Sequence, residues 1–78
     1  AWQLPEETPV AIQINSTPFT VMMATPSDLR DFAAGIVIAE GVIAAPSAIS
    51  GILVMPVDGG YAVDVAVPEG EYDPSRLG

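Results

Sequence analysis

The stretch MMATPSDLRDFAAGIVIAEG, residues 22–41, carries the clearest helix signal in the chain and decides its fold class. Thr25 followed by Pro26 predicts a helix start, because a threonine hydroxyl caps free backbone N–H groups and proline fits the first helical position. Asp28 is then expected in the first turn, near the positive end of the helix dipole. Gly41 is the expected left-handed stop that ends the helix.

The predicted helix changes character along its length. The apolar residues of its first part have the spacing of a single buried stripe: Leu29, Phe32, Ala33 and Ile36. Residues 33–39, AAGIVIA, are instead apolar at every angle, and one sheet cannot cover Ile36, Val37 and Ile38 together. We therefore expect a second apolar surface against the helix, supplied by further polypeptide. Gly35 costs about 1 kcal/mol relative to alanine in a helix, which a close backbone on that side would explain.

Two apolar runs before the helix predict a β-hairpin. PVAIQI, residues 9–14, and FTVMM, residues 19–23, both alternate with the two-residue period of a half-buried strand. The residues expected on one face are Val10, Ile12 and Ile14 in the first run and Phe19, Val21 and Met23 in the second. Residues 15–18, NSTP, form the turn. Because Ser16 adopts a left-handed backbone less readily than glycine, we expect a loop longer than two residues.

Two further runs follow the helix. GILVMPV, residues 51–57, is apolar on both faces, which is typical of a strand covered on two sides. After the turn DGG, residues 58–60, the run YAVDVAV alternates cleanly. Its predicted inward residues are Tyr61, Val63, Val65 and Val67, and its outward residues are Ala62, Asp64 and Ala66. The tail PEGEYDPSRLG, residues 68–78, reads as a linker or a cut end.

The order strand, strand, helix, strand, strand predicts a small two-layer α+β domain. Its sheet is expected to be mainly antiparallel, with the one helix packed on it. A chain of 78 residues supports a single domain, 1–78, and buries a core that is marginal by itself. Together with the over-hydrophobic helix, this indicates a piece of a larger protein.

Composition excludes several classes of function. Ten acidic residues against two basic ones give a net charge of −8, which disfavours nucleic acid and anionic membranes as partners. The chain has no Cys and no His, and so lacks a thiolate nucleophile and soft metal ligands. We predict no catalytic, cofactor-binding or metal-binding residue in it. Its apolar runs are too short to span a membrane and its start does not resemble a signal peptide, so the cytoplasm is expected.

The acidic residues and Thr25 each have a functional and a simpler interpretation. Glu40 lies at the unfavourable end of the helix dipole, which hints at a partner, but a solvated carboxylate is the simpler interpretation. Glu6 and Glu7 could meet a cation, although adjacent side chains diverge and an exposed turn is favoured. Thr25 could help to hold an anion at the helix start, but the nearby aspartates favour capping. Asp64 is interpreted as an outward charge that keeps an edge strand from aggregating.

The three methionines also allow two interpretations. Met22, Met23 and Met55 could form an adaptable binding surface, because the methionine side chain is flexible and polarisable. Methionine in apolar strands is more often core filler, and we favour that interpretation.

Two segments resemble a known family. EETPVAIQIN, residues 6–15, and VMMATPSDLRDFAAGIVIAEGVI, residues 21–43, resemble the N-terminal region of the formate dehydrogenase accessory proteins, the FdhD sulfur carriers. The residues that match the family pattern are Glu6, Glu7, Pro9, Val10, Ala11, Asn15, Met22, Met23, Thr25, Pro26, Asp28, Leu29, Phe32, Gly35, Glu40 and Gly41. Departures are Ser16, where the family often has glycine, and Ala39, where a hydroxyl residue is common. The resemblance extends to Val67.

The resemblance implies a function for a larger protein. Such carriers are similar to sulfurtransferases that accept persulfide sulfur from a cysteine desulfurase and pass it to the molybdenum cofactor, molybdopterin guanine dinucleotide, of formate dehydrogenase. The family's reactive cysteines lie beyond the matched region, in a domain that resembles cytidine deaminases. This chain is then an N-terminal structural domain that is inactive alone. Its implied partners are the missing C-terminal domain or a dimer mate, the desulfurase and formate dehydrogenase.

An alternative function belongs to a different class. The chain would be a stand-alone acidic protein–protein interaction module without catalysis, binding through its sheet edge or its apolar helix face. An in-frame Cys-x-x-Cys loop downstream would favour the sulfur carrier, and a stop codon after Gly78 would favour the module. A small independent enzyme is disfavoured, because the sequence offers no nucleophile paired with a base and no set of metal ligands.

Overall fold

The computed structural model of the chain describes residues 7–68, 70 and 72. The elements in chain order are β1 (Thr8–Ile14), β2 (Thr17–Ala24), α1 (Leu29–Ala39), a short 3-10 helix (Pro46–Ala48), β3 (Gly51–Val57) and β4 (Gly60–Ala66). This order confirms the predicted α+β fold.

The four strands form one sheet in the order β2-β1-β4-β3. Strands β1 and β2 pair antiparallel, as do β3 and β4, so that each hairpin contributes one central and one edge strand. The central strands β1 and β4 pair parallel. The sheet is therefore mainly antiparallel, as predicted, with one parallel pair in its middle.

The core lies between the sheet and α1. The register pairs Ile12 with Val63 and Ile14 with Val65, which places the inward residues of β1 and β4 side by side on the helix-facing side. The fully or almost fully buried residues of this layer are Val10, Ile12, Ile14, Leu29, Ala33, Val37, Val63 and Val65. Each buried Val, Leu or Ile side chain stabilises the fold by about 1.5–3 kcal/mol. The alternation predicted for β1 is confirmed; in β4, Val63 and Val65 are buried as predicted, but Ala62, which was predicted to face outward, is also buried at 7% exposure.

The helix begins later than the sequence predicts. Helix α1 starts at Leu29, and its N-cap is Asp28, which adopts a left-handed backbone with φ of 53° and makes no side-chain cap hydrogen bond. Thr25 is exposed, and its carbonyl accepts a hydrogen bond of 2.7 Å from the Ser27 N–H. The prediction of Thr25 as the cap was wrong. The reason is that Ala24 is still paired with Thr8 in the sheet, so the next residues must first carry the chain into the helix layer.

The helix ends as the sequence predicts. Gly41 has φ of 76°, a left-handed conformation that glycine adopts without steric cost. Its N–H donates to the Ile38 carbonyl at 3.0 Å, and the Val42 N–H donates to the Val37 carbonyl at 2.9 Å. These two bonds form a Schellman motif, which satisfies the last free carbonyls of the helix. Val42 then enters the core.

The first hairpin has a tighter turn than predicted. Ile14 pairs directly with Thr17, which leaves a two-residue turn of Asn15 and Ser16. Both turn residues have positive φ, 49° and 67°, which is the type I′ conformation. The expected longer loop was therefore wrong. Hydrogen bonds from the turn to β4 and to Val67 hold Asn15 and Ser16 in this conformation.

Strand β3 is less covered than predicted. It is an edge strand, and Leu53 and Val57 remain 57% and 50% exposed. The prediction of burial on two sides was wrong for the described part of the chain, because α1 covers one face of the sheet and no described residue covers the other. Helix α1 packs on β3 and β4.

The tail makes at least one contact with the domain. Tyr72 forms an isolated antiparallel bridge with Ile43 and is half-buried against the core. This bridge anchors the chain at Tyr72, which a free linker would not do, whereas the interpretation of residues 68–78 as a cut end stays a prediction. Residues 69, 71 and 73–78 lie outside the described part. Within the described part, no helix has the length and apolar character needed to cross a membrane.

Candidate functional site

The sheet has one face that α1 does not cover, which we call the open face. Paired residues point to the same side of a sheet, so the register identifies its members. They are Pro9, Ala11 and Gln13 of β1, Val21 and Met23 of β2, Leu53, Met55 and Val57 of β3, and Ala62 and Asp64 of β4. One row runs across all four strands, with Val21 beside Ala11, Ala11 beside Ala62, and Ala62 beside Met55.

The open face exposes large apolar side chains. Val21 is 66% exposed, Leu53 57%, Met23 56% and Val57 50%. Asp64 is the one charged residue within the four strands. The largest apolar patch on a soluble monomer typically covers a few hundred Å² and is often an interaction site. The arrangement fits a protein-contact surface.

The expected second apolar surface therefore lies on the sheet and not on the helix. On α1, Val37 is fully buried, while Ile36 and Ile38 are half-buried and pack against the core. A Cβ added at Gly35 would meet nothing within 4 Å, so the close backbone predicted beside Gly35 is absent from residues 7–68, 70 and 72. The apolar residues of the helix are covered more fully than their pattern suggests, because the connection after Gly41 adds core residues to those of the sheet.

The methionines of β2 are not core residues. Met22 is 37% exposed and Met23 56% exposed, whereas Met55 is half-buried. The core-filler interpretation is wrong for Met22 and Met23. Strand β2 is an edge strand, with Met22 on its helix-facing side and Met23 on the open face, which α1 does not cover.

Asp64 has a structural role different from the one predicted. Strand β4 is central, so Asp64 cannot protect a sheet edge, and the edge-strand interpretation was wrong. One carboxylate oxygen, Oδ1, accepts a hydrogen bond of 2.7 Å from the Ser16 N–H. The bond joins the tip of the first hairpin to the middle of the sheet, which helps to fix the β1–β2 turn.

The remaining acidic candidates are not brought together into a site. Glu40 is exposed at the helix end and lines a shallow depression of about 550 Å³ with Met22 and Ile36. Glu7 is exposed, and Glu6 lies outside the described residues, so the pair itself is not described. Among residues 7–68, 70 and 72, no three acidic groups come close enough to hold a metal ion.

The anion site suggested for Thr25 is also not formed, because Thr25 lies three residues before the helix cap Asp28. A depression of about 420 Å³ near the helix start contains Arg30 together with Asp28 and Asp31. Two carboxylates beside one guanidinium oppose anion binding there. No charged side chain is buried in the described part of the chain. A contact surface is thus the function that this arrangement supports.

Comparison with known proteins identifies the family. The sequence profile described as the FdhD/NarQ family matches residues 5–77. The chain belongs to the FdhD/NarQ family. This confirms the resemblance carried by residues 6–15 and 21–43.

Named relatives match the chain over part of their length. The sulfur carrier protein FdhD of Agrobacterium fabrum is 42% identical over 73 residues, which cover 94% of this chain and 27% of the relative. The FdhD of Bordetella petrii is 39% identical over 62 residues, which cover 80% of this chain and 22% of the relative. The chain thus spans about a quarter of these FdhD proteins, at their N-terminal part.

A solved structure agrees with the fold. The crystal structure of a formate dehydrogenase accessory protein from Desulfotalea psychrophila matches with a TM-score of 0.65 at 36% identity, over 85% of this chain and 27% of that one. The α+β arrangement is therefore shared with a homologue. The open face was missed by the sequence analysis, although the two-sided apolar run of residues 51–57 was a signal for it.

Proposed function

We propose that this chain is the N-terminal structural domain of an FdhD sulfur carrier. The intact carrier would accept persulfide sulfur from a cysteine desulfurase and deliver it to the molybdenum cofactor, molybdopterin guanine dinucleotide, of formate dehydrogenase. The observation that carries the proposal is the family match over residues 5–77, together with the names of the relatives as sulfur carrier proteins. Thiols stay reduced in the cytoplasm, which is the compartment that we propose.

The transfer chemistry assigns different roles to the different parts of such a carrier. An acceptor thiolate attacks the outer sulfur of the donor persulfide, a new S–S bond forms, and the donor leaves as a thiolate. Residues 1–78 contain no cysteine, so they hold no group that can become the persulfide. Their contribution is then to support the part of the carrier that holds the reactive cysteine. A buried core on one side of the sheet and an apolar contact surface on the other suit this role.

Complementation tests the proposal. A bacterial strain that lacks its own FdhD would express the intact gene product that carries this sequence, and formate-dependent dye reduction would be measured in extracts. We expect activity to be restored by the intact product and not by residues 1–78 alone. A soluble, folded intact product that restores no activity would contradict the proposal, and so would rescue by residues 1–78.

A matched pair of variants tests the need for the domain. Val63 is fully buried in the core and Asp58 is exposed in the β3–β4 turn. In the intact product, Val63→Asp is expected to abolish rescue, because an unpaired buried charge unfolds the domain. Asp58→Asn is expected to retain full rescue. Full rescue by Val63→Asp would show that the carrier works without this domain.

The second candidate is a stand-alone acidic interaction module without catalysis. The exposed apolar side chains of the open face favour it, because they suit an unrelated partner as well as the rest of a carrier. Transcript sequencing through the codon for Gly78 separates the two candidates. An in-frame continuation with a cysteine-containing loop supports the carrier, and a stop codon at that point supports the module.

A further inference from the structure

We propose that the open face is an intramolecular docking surface, occupied in the intact gene product by an apolar helix from outside residues 1–78. The inference rests on the proposed function only for the identity of the covering segment, which would belong to the same sulfur carrier.

Exposed apolar side chains are concentrated on this one side. Five large apolar residues are exposed in the described part of the chain, and Val21, Met23, Leu53 and Val57 belong to the open face. The fifth, Met22, lies on the helix-facing side at the sheet edge. The other large apolar side chains on the helix-facing side are buried or half-buried. Strand β3 has apolar residues on both of its faces. A third layer on the open face would cover the second of these faces, so that the sheet would be covered on both sides.

The side chains of the open face form a trough that runs along the strands. On the two central strands the paired Ala11 and Ala62 form its floor, and along the strands this floor is flanked by Pro9 on one side and by the paired Gln13 and Asp64 on the other. Its walls are larger side chains on the two edge strands: Val21 and Met23 on β2, and Leu53, Met55 and Val57 on β3. Three strand spacings separate the edge strands, about 14 Å. A helix with its side chains is about 10–12 Å across, so a single helix is wide enough to cover the sheet between the two edge strands.

The size and charge of the surface favour a tethered occupant over a second copy. Three rows across four strands cover roughly 400 Å² at standard sheet spacings, about half of what each partner buries in a typical stable interface. Two copies of a domain with net charge −8 also repel each other. A segment of the same chain binds at an effective concentration in the millimolar range and tolerates a small interface. The FdhD relatives have about three quarters of their length outside the matched part, which is ample for such a helix.

Photo-crosslinking in the intact gene product tests this inference. Benzoylphenylalanine would replace Val21 or Leu53 on the trough walls and, as a control, Ala39, which is exposed on the helix layer. Unlabelled and ¹⁵N-labelled protein would be mixed, so that crosslinks within one chain and between chains differ in mass. Thermal melting by circular dichroism confirms that each variant is folded.

We expect positions 21 and 53 to crosslink within their own chain to one common segment outside residues 1–78, at least about tenfold more than position 39 does. The inference is overturned by crosslinks between copies, by crosslinks to another protein, by a yield no higher than that of position 39, or by a gene product that ends at Gly78. The readout needs no formate dehydrogenase, so it stays interpretable if complementation fails.

Discussion

The side chain of Asn15 and the backbone of Val67 form a reciprocal pair of hydrogen bonds. The Asn15 amide nitrogen Nδ2 donates to the Val67 carbonyl at 2.9 Å, and its oxygen Oδ1 accepts from the Val67 N–H at 2.9 Å. The Asn15 N–H also donates to the Val65 carbonyl at 3.0 Å. These bonds join the β1–β2 turn to the end of β4, across 52 positions of sequence. They extend the parallel pairing of the two central strands.

Replacing Asn15 tests the importance of this pair. We expect Asn15→Ala to lower the free energy of unfolding by about 2 kcal/mol, because both Val67 groups lose a partner and alanine is disfavoured at positive φ. Urea unfolding at constant m-value measures the loss. Thr17→Ala is a control at an exposed position of the same hairpin, with an expected effect within about 0.5 kcal/mol. Equal effects of the two substitutions would contradict the structural role of Asn15.

The Ser16–Asp64 bond gives a second prediction. Asp64→Ala removes the acceptor of the Ser16 N–H and is expected to destabilise the fold by about 1–2 kcal/mol, since a charge-assisted hydrogen bond is lost. Asp64→Asn retains an oxygen acceptor, and we expect it to recover at least half of that loss. Chemical denaturation compares the two variants. If Asp64→Ala were as stable as the unchanged protein, the bond would contribute nothing to the hairpin.

Two glycines are expected to respond to alanine in opposite directions. A Cβ at Gly60 would collide with the backbone carbonyl of Pro9, so Gly60→Ala is expected to destabilise the protein by about 1–3 kcal/mol. Gly35 lies in the helix interior with open space around its Cα, so Gly35→Ala is expected to stabilise it by about 0.5–1 kcal/mol. Melting temperatures of both variants provide the comparison. A fall in stability for Gly35→Ala would indicate that another backbone does approach α1.

Local patterns in the sequence predicted the parts of the fold that local physics determines. The alternation of Val10, Ile12 and Ile14 identified the buried face of β1, and Gly41 identified the helix end. The turn at Asn15 and Ser16 was not predictable in the same way, because its conformation depends on hydrogen bonds to residues about 50 positions away.

Strand order limited the prediction of the contact surface. The apolar run of residues 51–57 correctly indicated two apolar faces, but only the pairing order shows that β3 is an edge strand with one face uncovered. The same limit applies to Met22, which is exposed at the sheet edge on the helix-facing side, and to Met23, which is exposed because it lies on the open face. A sequence pattern reveals that a face is apolar, whereas the tertiary arrangement determines what covers it.

Cysteine accessibility in the intact gene product shows whether another segment covers the open face. Leu53→Cys places a thiol on the open face and Ala39→Cys places one on the exposed side of α1, in a stretch of 78 residues that has no cysteine of its own. Maleimide labelling of each site is followed by peptide mass analysis. Position 53 is expected to react at least about tenfold more slowly than position 39, because another segment covers it. Equal labelling rates at the two positions would show that the open face stays in water and that no segment docks on it.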